Sequence, residues 1–269
     1  MTEVIEEVKR ESVRNLISNG NRPDGRGFEE FREINYEMDY IGTAEGSCLI
    51  FFGGTQILVA VKIGTGQPYP DSPDKGTLIT SAELVPSASP EVESGRPMYN
   101  EKYLEIARVV DRSIRESQMI DMEKMCIEEG ELVRTVFVDI HILDDLGNLI
   151  DAATLGAMLA LRTAKMKKYE IKDGEPVELD ETEPLPIEGA PISCSVAKFV
   201  DSLIVDPTHE EEIAMDSKIV IGIDEEEHIR AMQKSGSGPW TVSQLQAAID
   251  LAMKTVADLR KKLKLEEVG

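Results

Sequence analysis

The sequence is poor in the features that mark secreted, membrane and metal-binding proteins. Its three cysteines stand far apart at Cys48, Cys126 and Cys194, and its three histidines form no cluster. Neither set has the spacing of metal ligands, and we interpret the cysteines as buried free thiols. No apolar run is long enough to cross a bilayer, and the charged start MTEVIEEVKRE does not have the pattern of a signal peptide. We therefore expect a soluble, cytoplasmic protein with no metal and no cofactor.

Common catalytic signatures are missing as well. No GxxxxGK[ST], HExxH, GxSxG or paired CxxC sequence occurs, so the chain offers no familiar phosphate loop, zinc-protease helix or nucleophile elbow. Positive charge is scarce: 29 Lys and Arg residues face 51 Asp and Glu residues, which gives a formal net charge of −22. Such a surface repels nucleic acid at long range. Any polyanion must therefore meet a local basic patch, or one shared with a partner subunit.

What the chain does contain is a strongly apolar strand and helix near its middle. Residues 133–143, VRTVFVDIHIL, alternate with a period of two, which predicts a strand with one apolar face. After an Asp- and Gly-containing turn, the run LIDAATLGAMLALRTAKM at 149–166 is rich in Ala, Leu and Met and free of Pro, which predicts a helix. Its apolar content is nearly continuous, so we expect a buried central helix in which Gly156 allows close approach of a neighbour.

The remaining patterns indicate an α+β protein with two similar halves. Strand patterns precede the central helix, and a Gly53-Gly54 pair between two of them predicts a hairpin. More strands follow, and a long helix ends the chain. We expect an N-terminal helix over 1–20, a first half over 21–168, an acidic connection over 169–189 and a second half over 190–265. Within that second half, EEEIAMD reads as a short acidic break between strands.

Two groups of arginines offer local positive charge. The first, Arg22, Arg26 and Arg32, lies in the loop NRPDGRGFEEFREI. Either these residues form a local anion site, or they form ion pairs within a loop that orders the strands after it. The sequence leaves both interpretations open.

The second group lies on the helix predicted over 103–118. At 100° per residue, Arg108, Arg112 and Arg115 share an arc roughly 60° wide, and guanidinium groups on one arc match phosphate oxygens. The alternative is a solvated face whose arginines pair with acidic residues of the same helix. Those acidic residues are Glu105, Asp111 and Glu116. The predicted apolar side is formed by Leu104, Ala107, Val110 and Ile114.

In its order of strands, helices and arginine-bearing segments, the sequence resembles the RNase PH family of phosphorolytic 3′→5′ exoribonucleases. The matching stretches are RPDGR at 22–26, GGTQILVAVKIG at 53–64, ARVVDRSIRES at 107–117 and ISCSVAKF at 192–199. The likeness extends from about Asn21 to Leu265 and is greatest to the non-catalytic ring subunits of the archaeal exosome. It implies the RNase PH fold (ribosomal protein S5 domain 2-like), with two sheet-and-helix halves around buried central helices.

The resemblance also implies that this chain is not an enzyme and has no catalytic residue. Catalytic members carry Gly-Thr-Arg at the start of the central helix, and that arginine binds phosphate. Here the matching positions are Asn148-Leu149-Ile150, and isoleucine can neither donate a hydrogen bond nor supply charge. At the positions of two family aspartates stand Glu212 and Lys218. A lysine there inverts the local charge and cannot ligate a cation.

The partners that the resemblance implies are a catalytic RNase PH-like subunit, in a trimer of heterodimers, together with RNA-binding cap subunits and single-stranded RNA. Arg112 and Arg115 match the stretch that faces substrate, with Arg108 a weaker match, so all three are expected to bind RNA. Two alternatives stay open. The chain could itself be an active phosphate-dependent exoribonuclease, or it could be a scaffold that contacts no RNA.

Overall fold

Two β-sheets with their helices share one central helix. The structure, a computed structural model, describes residues 2–85, 88, 101–172 and 175–265. Its helices are α1 (Thr2–Ser18), α2 (Glu101–Glu116), α3 (Leu149–Thr163), α4 (His209–Ala214) and α5 (Val242–Leu263). Its strands are β1 (Ile34–Met38), β2 (Gly46–Phe52), β3 (Thr55–Gly66), β4 (Thr77–Leu84), β5 (Cys126–Glu128), β6 (Leu132–Asp144), β7 (Lys165–Lys172), β8 (Glu175–Pro184), β9 (Ile192–Phe199), β10 (Ser202–Val205), β11 (Ser217–Ile223) and β12 (Ile229–Ser235). No helix in these ranges is both long and apolar enough to cross a membrane.

The first sheet is built on the strand that the sequence singles out. Its order is β1-β2-β3-β6-β4, with the short β5 added to β6, and β4 runs parallel to β6 while the other pairs are antiparallel. The predicted alternation along β6 is confirmed, since Val136, Val138 and Ile140 have no exposed surface. The hairpin predicted at Gly53-Gly54 joins β2 to β3.

The second sheet has the order β10-β9-β11-β12 and is antiparallel throughout. Helix α5 packs on β9 and β11, and it begins at a capping box in which the Thr241 hydroxyl accepts from the Gln244 backbone N–H. In the sequence between the two sheets, β7 and β8 pair with each other as a separate two-stranded antiparallel sheet. Most of the predicted acidic connection is therefore regular β-structure.

Helix α3 lies between the sheets and joins them. Every residue from Leu149 to Leu161 is buried, which confirms the predicted central helix, and α3 contacts β2, β3 and β9. A Cβ at Gly156 would lie 3.1 Å from side-chain atoms of Ile50 and Val59. Glycine at this position therefore brings the helix backbone close to the first sheet, as expected.

Three local predictions are wrong. Cys48 and Cys194 are buried free thiols as expected, but Cys126 is only partly buried. The supposed acidic break contains helix α4, which begins with a capping box: the Thr208 hydroxyl accepts from the Glu211 N–H, and the Glu211 carboxylate accepts from the Thr208 N–H. On α2, Leu104 is half exposed, at 50%. The buried face of α2 is instead centred on Ile106, Val110 and Ile114. The prediction placed Leu104 on this face in place of Ile106.

Candidate nucleic-acid interface

The arginines of the N-terminal loop form a structural cluster. The Arg22 guanidinium donates to both carboxylate oxygens of Glu211 at 2.8 and 2.7 Å, and neither side chain is exposed. Arg32 donates to both oxygens of Asp206 at 2.8 and 3.0 Å, and Arg26 reaches the same carboxylate at 2.8 Å. The ion-paired interpretation of this loop is confirmed. These arginines are not available to a ligand.

The same cluster fixes the start of α3. The Asn148 side-chain amide donates to Asp206 at 2.7 Å and to Asp151 at 2.9 Å, and Asp151 accepts from the backbone N–H and hydroxyl of Ser195 on β9. Burial raises the pKa of Asp151, although the hydrogen bonds from Ser195 and Asn148 act in the opposite direction. Asn148 and Asp206 both have positive φ, 55° and 48°. Surrounding hydrogen bonds hold these uncommon conformations in place.

One pocket at this end of α3 gathers the three positions that the family resemblance marks for phosphate and acid chemistry. This α3 pocket has a volume of about 180 Å³. Its lining residues are Glu105, Ile106, Leu149, Ile150, Glu212, Lys218 and Ser235. The Lys218 ammonium lies 2.5 Å from Glu212 Oε1, which also accepts the Asn148 N–H at 3.2 Å. The pocket's ammonium is therefore already neutralised, and Ile150 adds no donor.

Replacing Lys218 with methionine is expected to lower the free energy of unfolding by about 2 kcal/mol, measured by urea denaturation. Glu212 would keep its charge in a position where only 13% of its side chain is exposed. The double variant Lys218→Met, Glu212→Gln removes that charge and retains an acceptor for the Asn148 N–H. It should recover most of the loss. Equal losses in the single and double variants would show that the charge pairing does not stabilise the pocket.

The second arginine group lies on the surface. Arg108, Arg112 and Arg115, together called the arginine stripe, are all exposed and line an open groove of about 390 Å³. Arg115 donates to Asp111 at 2.8 Å, and Asp111 accepts from the Thr80 hydroxyl at 3.3 Å. The structure thus brings the three predicted residues together on one groove.

The predicted acidic partners of the stripe behave differently from one another. Asp111 pairs with Arg115, but the Glu105 carboxylate accepts instead from Ser235 at 2.6 Å and Gln233 at 3.3 Å on β12. In the part of the chain that the structure describes, no acidic side chain pairs with Arg108 or Arg112. Two of the three guanidinium groups therefore face the groove without a counter-ion from those residues.

A group of possible metal ligands lies far from the stripe in sequence. Ligand atoms of Asp224, Glu226 and His228, in the turn between β11 and β12, fall within 4.8 Å of one another. The Asp224 carboxylate already accepts from the backbone N–H groups of Glu226 and His228 and, at 2.5 Å, from Arg230. These contacts account for the grouping as a stabilised turn.

The sequence matches two family models over most of its length. One is described as "3′ exoribonuclease family, domain 1" and covers residues 30–167, and the other is domain 2 of the same family and covers residues 189–255. The chain belongs to the 3′ exoribonuclease, or RNase PH, family. The fold expected from the resemblance is confirmed, and the α3 pocket and the arginine stripe are features of a 3′ exoribonuclease family member.

Relatives within the 3′ exoribonuclease family are similar along the whole chain. The "Exosome complex component Rrp42" of Thermococcus gammatolerans is 47% identical, with 99% of this chain and 97% of the relative covered. The protein of the same name from Methanopyrus kandleri is 45% identical, with 98% of each covered. A solved structure described as "archaeoglobus fulgidus exosome with RNA bound to the active site" matches with a TM-score of 0.87 and 41% identity, over 97% of this chain and 99% of the other. A second, "Archaeal exosome core", has a TM-score of 0.85 and 39% identity, over 98% and 100%.

Proposed function

We propose that this chain is a non-catalytic subunit of a cytoplasmic, archaeal-type exosome, in which it completes the ring and positions single-stranded RNA for a catalytic RNase PH-like neighbour. The observation that carries the proposal is the ion pair between Lys218 and Glu212 beside Ile150 in the α3 pocket. The names of full-length relatives, which are exosome components, support the assembly.

Phosphorolysis makes demands that this pocket does not meet. Inorganic phosphate needs cationic and backbone donors aimed at its oxygens, and the leaving group needs an acid or a metal ion beside it. Lys218 is bound to Glu212 at 2.5 Å, and the same carboxylate occupies the Asn148 N–H. With Ile150 contributing only methyl and methylene groups, the pocket lacks the means to hold phosphate for attack.

The arginine stripe, by contrast, is suited to an RNA backbone. Arg108 and Arg115 are seven residues apart on α2, so the stripe extends about 10 Å along the helix axis. At physiological ionic strength the screening length is about 8 Å, so carboxylates elsewhere on the acidic surface act weakly at the groove. A phosphate bound by a guanidinium gains charge-assisted hydrogen bonds that contribute about 1.5–3 kcal/mol each.

The pair between Arg115 and Asp111 is the observation that favours the alternative of a scaffold without RNA contact. Their side chains are 57% and 24% exposed, and exposed pairs of this kind contribute only about 0.2–1 kcal/mol. A phosphate can therefore replace Asp111 as the partner of Arg115 at little cost. The scaffold interpretation also leaves Arg108 and Arg112 without a role.

Ring formation has support in the sheet edges. Strand β12 ends the second sheet in the described structure and carries Ile229 and Met232, which are 40% and 38% exposed. Among the described residues, strand β4 ends the first sheet and carries Ile79, which is 44% exposed. Open edges with apolar side chains invite pairing with another chain. A neighbouring RNase PH-like subunit in a trimer of heterodimers would cover them, with cap subunits bound to the ring.

Phosphate-dependent RNA decay tests the proposal directly. The isolated chain, supplied with RNA, phosphate and magnesium, is expected to release no nucleoside diphosphates. Mixed with its catalytic partner, it should form a particle with the mass of about six subunits that degrades RNA, with the catalytic subunit alone as the control. Release of nucleoside diphosphates by the isolated chain would establish the enzyme alternative. A chain that stays monomeric beside the partner at micromolar concentration would contradict the assembly.

A further inference from the structure

A second pocket adjoins the arginine stripe at the C-terminal end of α2. It has a volume of about 180 Å³, and it is called the Tyr69 pocket below. The loop between β3 and β4 forms one wall, and buried side chains of Leu78, Ile114 and Ile120 form the floor. The pocket therefore combines an apolar floor with the 54% exposed ring of Tyr69 at its rim.

Backbone contacts hold this pocket in shape. The Gly76 N–H donates to the Met122 carbonyl at 2.8 Å, and the Gly130 N–H donates to the Pro73 carbonyl at 2.9 Å. A Cβ at Gly76 would lie 2.4 Å from the Met125 Cβ, so only glycine lets the loop pass this close to the core. Two backbone hydrogen bonds therefore hold the wall in place, and the cavity does not depend on a ligand for its shape.

Two cationic side chains stand at the rim of the Tyr69 pocket. Lys75 and Arg115 both line the Tyr69 pocket, and Arg115 also lines the groove of the stripe. One guanidinium group therefore stands between the two cavities. Lys75 lies 3.5 Å from Glu123, but the two side chains are 46% and 71% exposed, so this pair is weak.

We infer that the Tyr69 pocket receives a nucleobase of the RNA strand whose phosphates lie on the arginine stripe. Proteins that bind single-stranded RNA splay its bases onto aromatic rings or guanidinium planes, and they hold the backbone with positive charge. Here the ring is Tyr69, the shared guanidinium is Arg115, and the apolar floor excludes water from the face of the base. With a volume of about 180 Å³, the cavity is assigned one base, while the sugar and phosphate of that nucleotide stay outside.

The pocket has this role only if the stripe holds RNA as proposed above, and two sets of variants separate the two claims. RNA binding by the assembled ring is measured with an intact oligonucleotide and with a series that carries one abasic site at successive positions. Tyr69→Ala is expected to weaken binding of the intact strand about tenfold, a change of about 1.4 kcal/mol. Tyr69→Phe should bind as the unmodified ring does, because stacking needs the ring and not the hydroxyl.

The abasic series identifies the ligand. In the unmodified ring one abasic position should weaken binding as much as Tyr69→Ala does, and in the Tyr69→Ala ring that position should have no further effect. Tyr40→Ala is the matched control, since Tyr40 is 50% exposed but does not line the pocket. Arg108→Glu with Arg112→Glu should weaken intact and abasic strands alike and make the salt dependence shallower, while Tyr69→Ala leaves the salt slope unchanged.

Equal binding of intact RNA by the Tyr69→Ala and unmodified rings would overturn the inference while leaving the stripe intact. Weaker ring assembly with unchanged RNA affinity per ring would also overturn it, because the pocket would then hold a side chain of a partner subunit. If the arginine variants bind RNA normally, the proposed function itself fails.

Discussion

The double variant Arg112→Glu, Arg115→Glu is expected to bind RNA about a hundredfold more weakly than the unmodified protein when both are assembled with the catalytic partner. A hundredfold change corresponds to about 2.8 kcal/mol, which two guanidinium–phosphate contacts supply at the lower end of their range, about 1.5 kcal/mol each. The variant should also neutralise two fewer phosphates. Because each neutralised phosphate contributes about −0.7 to the slope of log K against log salt for a single strand, the slope should become less negative by about 1.4. Titration of fluorescent RNA at several salt concentrations measures both quantities, and decay by the partner should slow in parallel.

The matched control for this variant is Lys9→Glu with Arg10→Glu. It changes the net charge by the same amount at two exposed positions on α1, so it separates local contact from overall repulsion. Both variants should form rings, because the substituted side chains lie outside the core. If the α2 variant assembles and processes RNA at the unmodified rate, the stripe is a solvated helix face.

The substitution Arg22→Met is expected to lower the free energy of unfolding by about 3–5 kcal/mol in urea denaturation. It would leave Glu211 charged with no exposed side-chain surface and without its bidentate partner. The carbonyl oxygens of Val205 and Asp206 would each lose one hydrogen bond from Arg22 as well, although Asp206 O would keep the one from Arg26. A buried charge stripped of its partner costs far more than the intact pair contributes, because its desolvation is no longer compensated.

Two comparisons isolate that cause. Arg22→Met with Glu211→Gln removes both charges and should recover a large part of the loss. Lys254→Met breaks the pair with Glu29, whose two side chains are 62% and 54% exposed, and should cost less than about 1 kcal/mol. A loss after Arg22→Met no larger than that of Lys254→Met would show that the buried pair is not a main source of stability.

Much of the fold follows from local patterns. Strand β6 and helix α3 were predictable because period-two alternation and an unbroken Ala- and Leu-rich run each fit one structure. The hairpin at Gly53-Gly54 was predictable for the same reason, since paired glycines between apolar runs have few other uses. In each case the signal lies within about twenty residues, and the tertiary structure agrees with it.

The errors arise where distant contacts decide. Helix α4 reads as a charge-rich break, yet the sequence Thr208 to Glu211 carries the S/T-x-x-E signature of a capping box. That capping box is a local signal, but Glu211 also makes a bidentate contact with Arg22, 189 positions away, and no window of sequence reveals that partner. Leu104 was assigned to the buried face because helical geometry gives spacing but not the rotation of the helix against its sheet.

The candidate site divides in the same way. The arc of Arg108, Arg112 and Arg115 follows from helical geometry alone, so their grouping on one face was predictable, whereas the groove also needs Thr80 of β4. The meeting of Ile150, Glu212 and Lys218 required the family resemblance, because α3, α4 and β11 converge only in the folded chain. The Tyr69 pocket had no sequence signal, since its floor and rim come from segments that pattern analysis reads separately as loop, strand and helix.

The 189-residue separation of Arg22 from Glu211 also has a consequence in time. A ribosome that adds 5–20 residues per second needs roughly 10–40 s to travel from one partner to the other. Until then the guanidinium that is fully buried in the finished protein lacks its carboxylate partner. The first sheet can form from the residues already made, but the Arg22–Glu211 ion pair forms only after nearly four-fifths of the chain, 211 of 269 residues, has been synthesised.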